Sequence, residues 1–255
     1  MMRIKPTLIA TLPLLVSALA FAEAPPLSQQ ETEKAVGQNV VKSVPLALDG
    51  LVAAKDKNGN DVIVSTNGRY VLKGYLQDVY TNKAVRNVKD AVDAQYLTLG
   101  NMGLNLVDIG TIPYGNPQLP LQARIMVDPY CPSCTALLKQ LAENRDKVHV
   151  EIMITPISGQ ESILTALNLW CTYETNYNKG REVLDLLFKG QPYPTLPEQK
   201  ACKGQRVLLN TMLTRTFNLK GLPAIWRVDG LAQAGTPPDL LAFLNERRPS
   251  DDAEK

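Results

Sequence analysis

A chain of 255 residues with 45% hydrophobic residues has room for one large domain or two modest ones with an ordinary core, which excludes a disordered or collagen-like polypeptide. Its 27 basic and 25 acidic residues give a formal net charge of +2. No basic stripe with interleaved aromatics runs through it, so nucleic acid is not an expected partner.

The opening stretch MMRIKPTLIATLPLLVSALAFA has a basic lead (Arg3, Lys5), an apolar run from Leu8 to Phe21, and small residues at Ala20 and Ala22. That pattern predicts a secretory signal peptide over residues 1–22, cleaved before Glu23. The apolar run is shorter than the ~18 to 20 residues a spanning helix needs, and no later segment is a candidate, so no stable membrane association is expected. Cleavage removes Arg3 and Lys5 and leaves 25 basic against 25 acidic residues, a formally neutral chain.

SQQETEKAVGQNVVKSV predicts a short helix carrying Val36, Val40 and Val41 on one face. The stretch from Leu51 to Tyr80 predicts three short strands joined by two hairpins. Asn58-Gly59 and Asn67-Gly68 would supply the positive φ angles of tight type I′ turns. AVRNVKDAVDAQYL then places Val85, Val88 and Val92 at helical spacing. So small a module encloses little core alone, which suggests that it pairs with a second copy. TIPYGNPQLP, dense in Pro and Gly, predicts a boundary.

Beyond it, LQARIMVD predicts an apolar strand, TALLKQLAENRD a helix burying Leu137, Leu138 and Leu141, and KVHVEIMITPI a second strand. A helical region from Glu161 to Phe217 follows, with Leu164, Leu167, Trp170, Val183, Leu184 and Leu187 as its apolar positions. GLPAIWRVDGLAQAG predicts a hairpin turning at Asp229-Gly230, and PDLLAFLNER a closing helix. Strand, helix, strand, helical insertion, hairpin, helix is the order of an α/β thioredoxin-like domain. The expected organisation is an α+β module at 23–84, a helical linker at 85–120, the thioredoxin-like domain at 121–249 and a polar tail at 250–255.

All four cysteines, Cys131, Cys134, Cys171 and Cys202, follow the signal and lie in the second half. An exported chain meets an oxidising compartment where disulfides persist, but four cysteines are too few to staple a chain of this length. Cys131 and Cys134 sit where a strand gives way to a helix. There the first thiol faces unpaired amides and the positive end of the helix dipole, which stabilise its thiolate. Pro132 suits the first helical turn. Cys131 is the expected nucleophile and Cys134 the resolving thiol. Zinc is disfavoured because Cys171 and Cys202 are far apart and the one histidine, His149, lies in a strand-like run. A purely structural bridge is disfavoured because so small a loop restricts the unfolded chain little. No metal or organic cofactor is expected. A bridge between Cys171 and Cys202 would close a loop of about 30 residues, a structural role, the alternative being a second redox pair. Pro223, at the start of a strand, is either cis or a plain turn proline. If cis, it would expose the backbone of Leu222 beside the sulfurs to an extended substrate strand.

Taken together, these residues resemble the bacterial periplasmic DsbC/DsbG family of thiol:disulfide isomerases over nearly the whole mature chain. VLKGYLQDVYTNKAV is similar to the end of that family's amino-terminal dimerisation domain and MVDPYCPSC to its active-site motif. LWC with Cys202 is similar to its structural disulfide, and GLPA to its cis-proline loop. The resemblance implies a periplasmic V-shaped homodimer whose Cys131 attacks wrong disulfides in misoxidised exported proteins. It also implies a DsbD-type membrane reductase that keeps the pair reduced, and an uncharged cleft for apolar client segments. Three departures stand out: Pro132-Ser133 where the DsbC branch has Gly-Tyr, Leu222 where Thr commonly precedes the cis-proline, and Ile125 where thioredoxins carry a buried carboxylate. The rival readings are a DsbG-like reductase of oxidised cysteines, a dithiol oxidase, and a holdase chaperone.

Overall fold

The computed structural model of the chain describes residues 40–72, 74–189, 191, 202 and 204–246. The expected signal peptide, Val36 of the expected first helix, and the tail at 250–255 lie outside the described residues. Within them the amino-terminal part is an antiparallel sheet in the order β1 (Val40–Pro45), β2 (Leu51–Asp56), β3 (Asp61–Ser65), β4 (Val71–Leu72). Val40 and Val41 lie in β1, not on the helix their spacing predicts. The run VVKSVP is rich in β-branched residues and finds a partner strand in β2, which outweighs a weak helical period.

Both expected hairpins form, but only the glycine of each Asn-Gly pair is left-handed, with φ of +83° at Gly59 and +69° at Gly68. The loops are longer than two residues because side chains organise them. Asp56 accepts from the amides of Asn58 and Asn60, each at 2.8 Å, and Asn67 accepts from the Arg69 amide at 3.0 Å. A small hairpin, β5 (Leu76–Asp78) and β6 (Lys83–Val85), leads to helix α1 (Val88–Ala94). Val85 ends β6 instead of joining the helix, because Asn87 caps α1 by accepting from the Asp90 amide at 2.8 Å. Val88 and Ala91 then bury against Val44, Ala53 and Val85.

The second sheet has five strands: β7 (Ile112–Gly115), β8 (Ala123–Val127), β9 (His149–Ile154), β10 (Ala224–Arg227) and β11 (Ala232–Ala234). Their order is β11-β10-β8-β9-β7, with β8 and β9 parallel and the other neighbours antiparallel. Helix α2 (Pro132–Glu143) follows β8, and α3 (Gln160–Thr175), α4 (Tyr177–Phe188) and α5 (Gln205–Thr216) separate β9 from β10. The expected hairpin and a closing helix, α6 (Leu240–Asn245), complete the thioredoxin-like order.

The stretch expected as a boundary contains β7. A strand with Pro113 at its centre is tolerated at the edge of a sheet, where one side needs no ladder partner. Gly115 is required there: its φ is +97°, and a Cβ would collide with the Val148 carbonyl.

Alternation divides the sheet's two faces. Ile125, Val127, Ile152 and Ile154 pack with Leu137, Leu138, Leu141, Leu184 and Leu240. Met126, Met153 and Trp226 pack with Ile109 and Leu213 on the other face. Leu164, expected in the core, is 54% exposed, and α3 instead buries Ala166, Leu169, Trp170 and Cys171. The two sheets are joined at the segment after α1. Tyr96 bridges Leu231, the Leu97 amide donates to Gly230, and the Trp226 indole donates to the Leu97 carbonyl at 3.0 Å. Among the described residues no helix is long and apolar enough to cross a membrane.

Candidate active site

Strand β8 delivers the chain to Asp128, which is fully buried. One carboxylate oxygen accepts from the Tyr130 amide at 2.7 Å. The other accepts from the amides of Ile157 and Ser158 and from the Ser162 hydroxyl, at 2.6, 2.8 and 2.8 Å. Burial by itself would raise the pKa of this carboxyl. The hydrogen bonds from Ile157, Tyr130, Ser162 and Ser158 outweigh it and hold the pKa below the ordinary 3.8. Asp128 is thus an ionised brace between the loop carrying the cysteines and the loop entering α3. Ile125, where thioredoxins carry a carboxylate, is part of the core.

Cys131 is the amino-terminal cap of α2, and Pro132 takes the first helical position. The Cys131 sulfur accepts from the Cys134 amide at 3.1 Å, so the helix end addresses that sulfur. Cys131 and Cys134 are joined as a disulfide with Cα atoms 5.3 Å apart. The two sulfurs differ in access: Cys131 is half-buried, whereas Cys134 is 1% exposed. An incoming sulfur meets Cys131 first.

The peptide between Leu222 and Pro223 is cis. Helix α5 prepares the approach to it with a Schellman motif. Asn218 has φ of +52°, its amide donates to Arg215, and the Leu219 amide donates to Thr214. Leu219 then packs into the core beside Leu222. The Leu222 carbonyl oxygen lies 3.4 Å from the Cys131 sulfur and accepts a hydrogen bond from the Ser133 hydroxyl at 3.0 Å. The same hydroxyl oxygen is 3.3 Å from the Cys131 sulfur. Cys131, Pro132, Ser133, Cys134, Leu222 and Pro223 therefore form one constellation. A groove of about 430 Å³ continues from Leu222 along Ile157, Ile163, Thr211 and Arg215.

Cys171 and Cys202 are bonded to each other and stand outside this constellation, tying α3 to the residues ahead of α5. His149 opens β9, at the end of the sheet opposite Cys131. Its Nδ1 lies 2.6 Å from the Leu119 carbonyl, so that nitrogen carries the proton and donates. The sequence reading did not find the Ser133–Leu222 contact or the brace at Asp128. Their partners lie 89 and roughly 30 residues away in the chain, beyond the reach of any local pattern.

No protein-family model matches the chain, and no curated protein does. Solved structures align with part of it. The thiol-disulfide exchange protein alpha-DsbA2 from Wolbachia pipientis is 16% identical, with a TM-score of 0.46, over 58% of this chain and 90% of that one. A periplasmic thioredoxin-like protein from Salmonella enterica serovar Typhimurium is 20% identical, with a TM-score of 0.43, over 53% and 87%. A disulfide interchange protein from Neisseria gonorrhoeae is 24% identical, with a TM-score of 0.40, over 53% and 93%. Likeness at this level establishes neither a family nor an activity.

Proposed function

We propose that this chain is a thiol:disulfide oxidoreductase that reduces and isomerises incorrect disulfides in exported proteins. The observation that carries the reading is the asymmetry of the helix-capping pair: an approachable Cys131 bonded to an inaccessible Cys134, beside the backbone of Leu222. In the reduced form the Cys131 thiolate attacks one sulfur of a client disulfide. The client S–S bond breaks, its electron pair stays on the departing sulfur, and a mixed disulfide forms at Cys131. Two exits follow. The freed client thiolate can attack another client disulfide, and the thiolate displaced there then attacks the mixed disulfide, which returns the Cys131 thiolate with no net transfer of electrons. Alternatively Cys134, as a thiolate, attacks the Cys131 sulfur, releases the reduced client thiol and leaves the Cys131–Cys134 disulfide, which then needs an external reductant.

The finer reading is a periplasmic homodimer of the DsbC/DsbG type, recharged by a DsbD-type membrane reductase. Its support is the expected signal peptide and edge strand β4 with the residue before it, where Tyr70, Val71 and Leu72 are 57%, 59% and 40% exposed and invite a second copy. The test is reactivation of a scrambled-disulfide substrate in a glutathione buffer, with Cys131→Ser alongside and the mass of both taken by sedimentation. Reactivation by the parent dimer and none by the variant is expected. Equal activity of the two proteins would sink the reading.

A further inference from the structure

The one hydroxyl between the cysteines has two acceptors within reach and a single proton to give. Ser133 Oγ stands 3.0 Å from the Leu222 carbonyl and 3.3 Å from the Cys131 sulfur. Resting on the function proposed above, we propose that Ser133 is a redox-linked hydrogen-bond switch. Its hydroxyl covers the Leu222 carbonyl while the pair is a disulfide. It turns onto Cys131 when the pair is reduced, which frees that carbonyl for a backbone N–H of an extended polypeptide client.

The change of acceptor follows from charge. In the disulfide the Cys131 sulfur is neutral and already accepts from the Cys134 amide, so the carbonyl is the better acceptor for Ser133. On reduction a dithiol donor passes two electrons and two protons to the pair and leaves as its own disulfide. Cys134 keeps its proton as a thiol, and the proton of Cys131 passes to solvent, leaving a thiolate. A hydrogen bond to a charged acceptor is roughly twice as strong as one between neutral groups, so the hydroxyl rotates to the sulfur. The Leu222 carbonyl, 3.4 Å from that sulfur, is then open where a client strand lies beside its target. A client would therefore be held by the form that attacks disulfides and released by the form that has finished.

The test uses the mature protein and a short fluorescein-labelled, cysteine-free peptide from pancreatic ribonuclease, each cysteine replaced by serine so that no exchange occurs. Affinity is measured for the oxidised form and for the form reduced with dithiothreitol. Wild type is expected to bind the peptide about tenfold tighter when reduced, as one backbone hydrogen bond gained with a partner otherwise blocked implies. Ser133→Ala should bind equally in both forms, at the affinity of the reduced wild type, and Ser133→Thr should restore the difference. The glutathione equilibrium of Ser133→Ala should also shift about tenfold toward the disulfide, since only the reduced form loses a charge-assisted bond. Equal affinity of the two wild-type forms, or no binding by either, overturns the switch. So does a redox difference that survives in Ser133→Ala. Wild type that fails to reactivate a scrambled substrate refutes the function instead, which keeps the two failures apart.

Discussion

The two cysteine pairs of this chain share a bond type and little else. Cys131 and Cys134 are three residues apart, cap a helix, and leave one sulfur half-exposed beside two polar groups from a serine and a loop. Cys171 and Cys202 are 31 residues apart, and Cys171 lies 6% exposed in the middle of α3. A bond closing a very short loop removes little freedom from the unfolded chain, so it adds little stability and is easily given up. A bond closing a long loop removes much more and stands away from the reactive sulfur. The contrast favours the proposed division, exchange at the first pair and stability from the second. It also shows what replaces a covalent tie around the first pair: the buried carboxylate of Asp128, which binds three amides from two loops and a hydroxyl from the first turn of α3.

The largest loss should come from that brace. Asp128→Ala leaves the amides of Tyr130, Ile157 and Ser158 and the buried Ser162 hydroxyl without their charged acceptor, and its expected cost is on the order of 3 to 5 kcal/mol in denaturant unfolding. Asp128→Asn keeps one oxygen and should cost less. The pH dependence has a fixed sign. The native carboxyl titrates below the ordinary 3.8, so its contribution is fully present above that value and fades as pH falls through the native pKa. The stability gap between wild type and Asp128→Asn should therefore be constant at neutral pH and shrink below about pH 4. A gap that widens in acid would show that the carboxyl is protonated in the native protein.

The division of labour between the pairs is tested directly by replacing Cys171 and Cys202 together with Ala. The chain-entropy model gives a loss of about 3 to 4 kcal/mol for a loop of this length. Thiol exchange at Cys131, measured below the new unfolding midpoint, should stay within about twofold of the parent, since neither cysteine of the second pair takes part in the polar contacts around the Cys131 sulfur. A double variant that keeps its stability and loses exchange would reverse the assignment and make Cys171–Cys202 a second redox pair.

The difference between the pairs was partly legible in the sequence. Cys131, Pro132 and Cys134 are local: the helix they cap follows from Pro132 and the spacing of Leu137, Leu138 and Leu141, and both survive in the fold. The strands β8 and β9 were legible because each ends in an apolar run, Ile125–Val127 and Ile152–Ile154, buried on both faces. Strand β7 was not, because Pro113 and Gly115 read as turn residues unless its edge position is known. Val40 and Val41 misled because a short β-branched run fits either period until a partner strand decides. The environment of the cysteines was least legible, since Ser133 meets Leu222 across 89 residues and Asp128 collects three of its four donors from beyond β9. Asn218, an Asn directly beyond the last turn of a helix, was an overlooked local signal, and so was Asn87 at the start of α1.

The smallest expected effect lies where the amino-terminal sheet reaches the active-site loop. Asp49, in the turn between β1 and β2, accepts from the Asn218 side chain at 2.9 Å and pairs with Lys220. Both partners precede Leu222 by only a few residues, so the clasp ties the first sheet to the loop that carries the candidate site's carbonyl. The two charged side chains are 39% and 43% exposed, and an ion pair so open to water contributes about 0.2 to 1 kcal/mol. Asp49→Ala should thus lower stability by less than about 1 kcal/mol at low salt. Half-molar sodium chloride, which shortens the screening length to roughly 4 Å, should remove most of the difference. Asp49→Asn, which keeps an oxygen for Asn218, should fall between the two proteins. A salt-independent loss of several kcal/mol would mean that the first sheet holds the Leu222 loop in place, and that the reactive pair depends on the amino-terminal module for more than its contact surface.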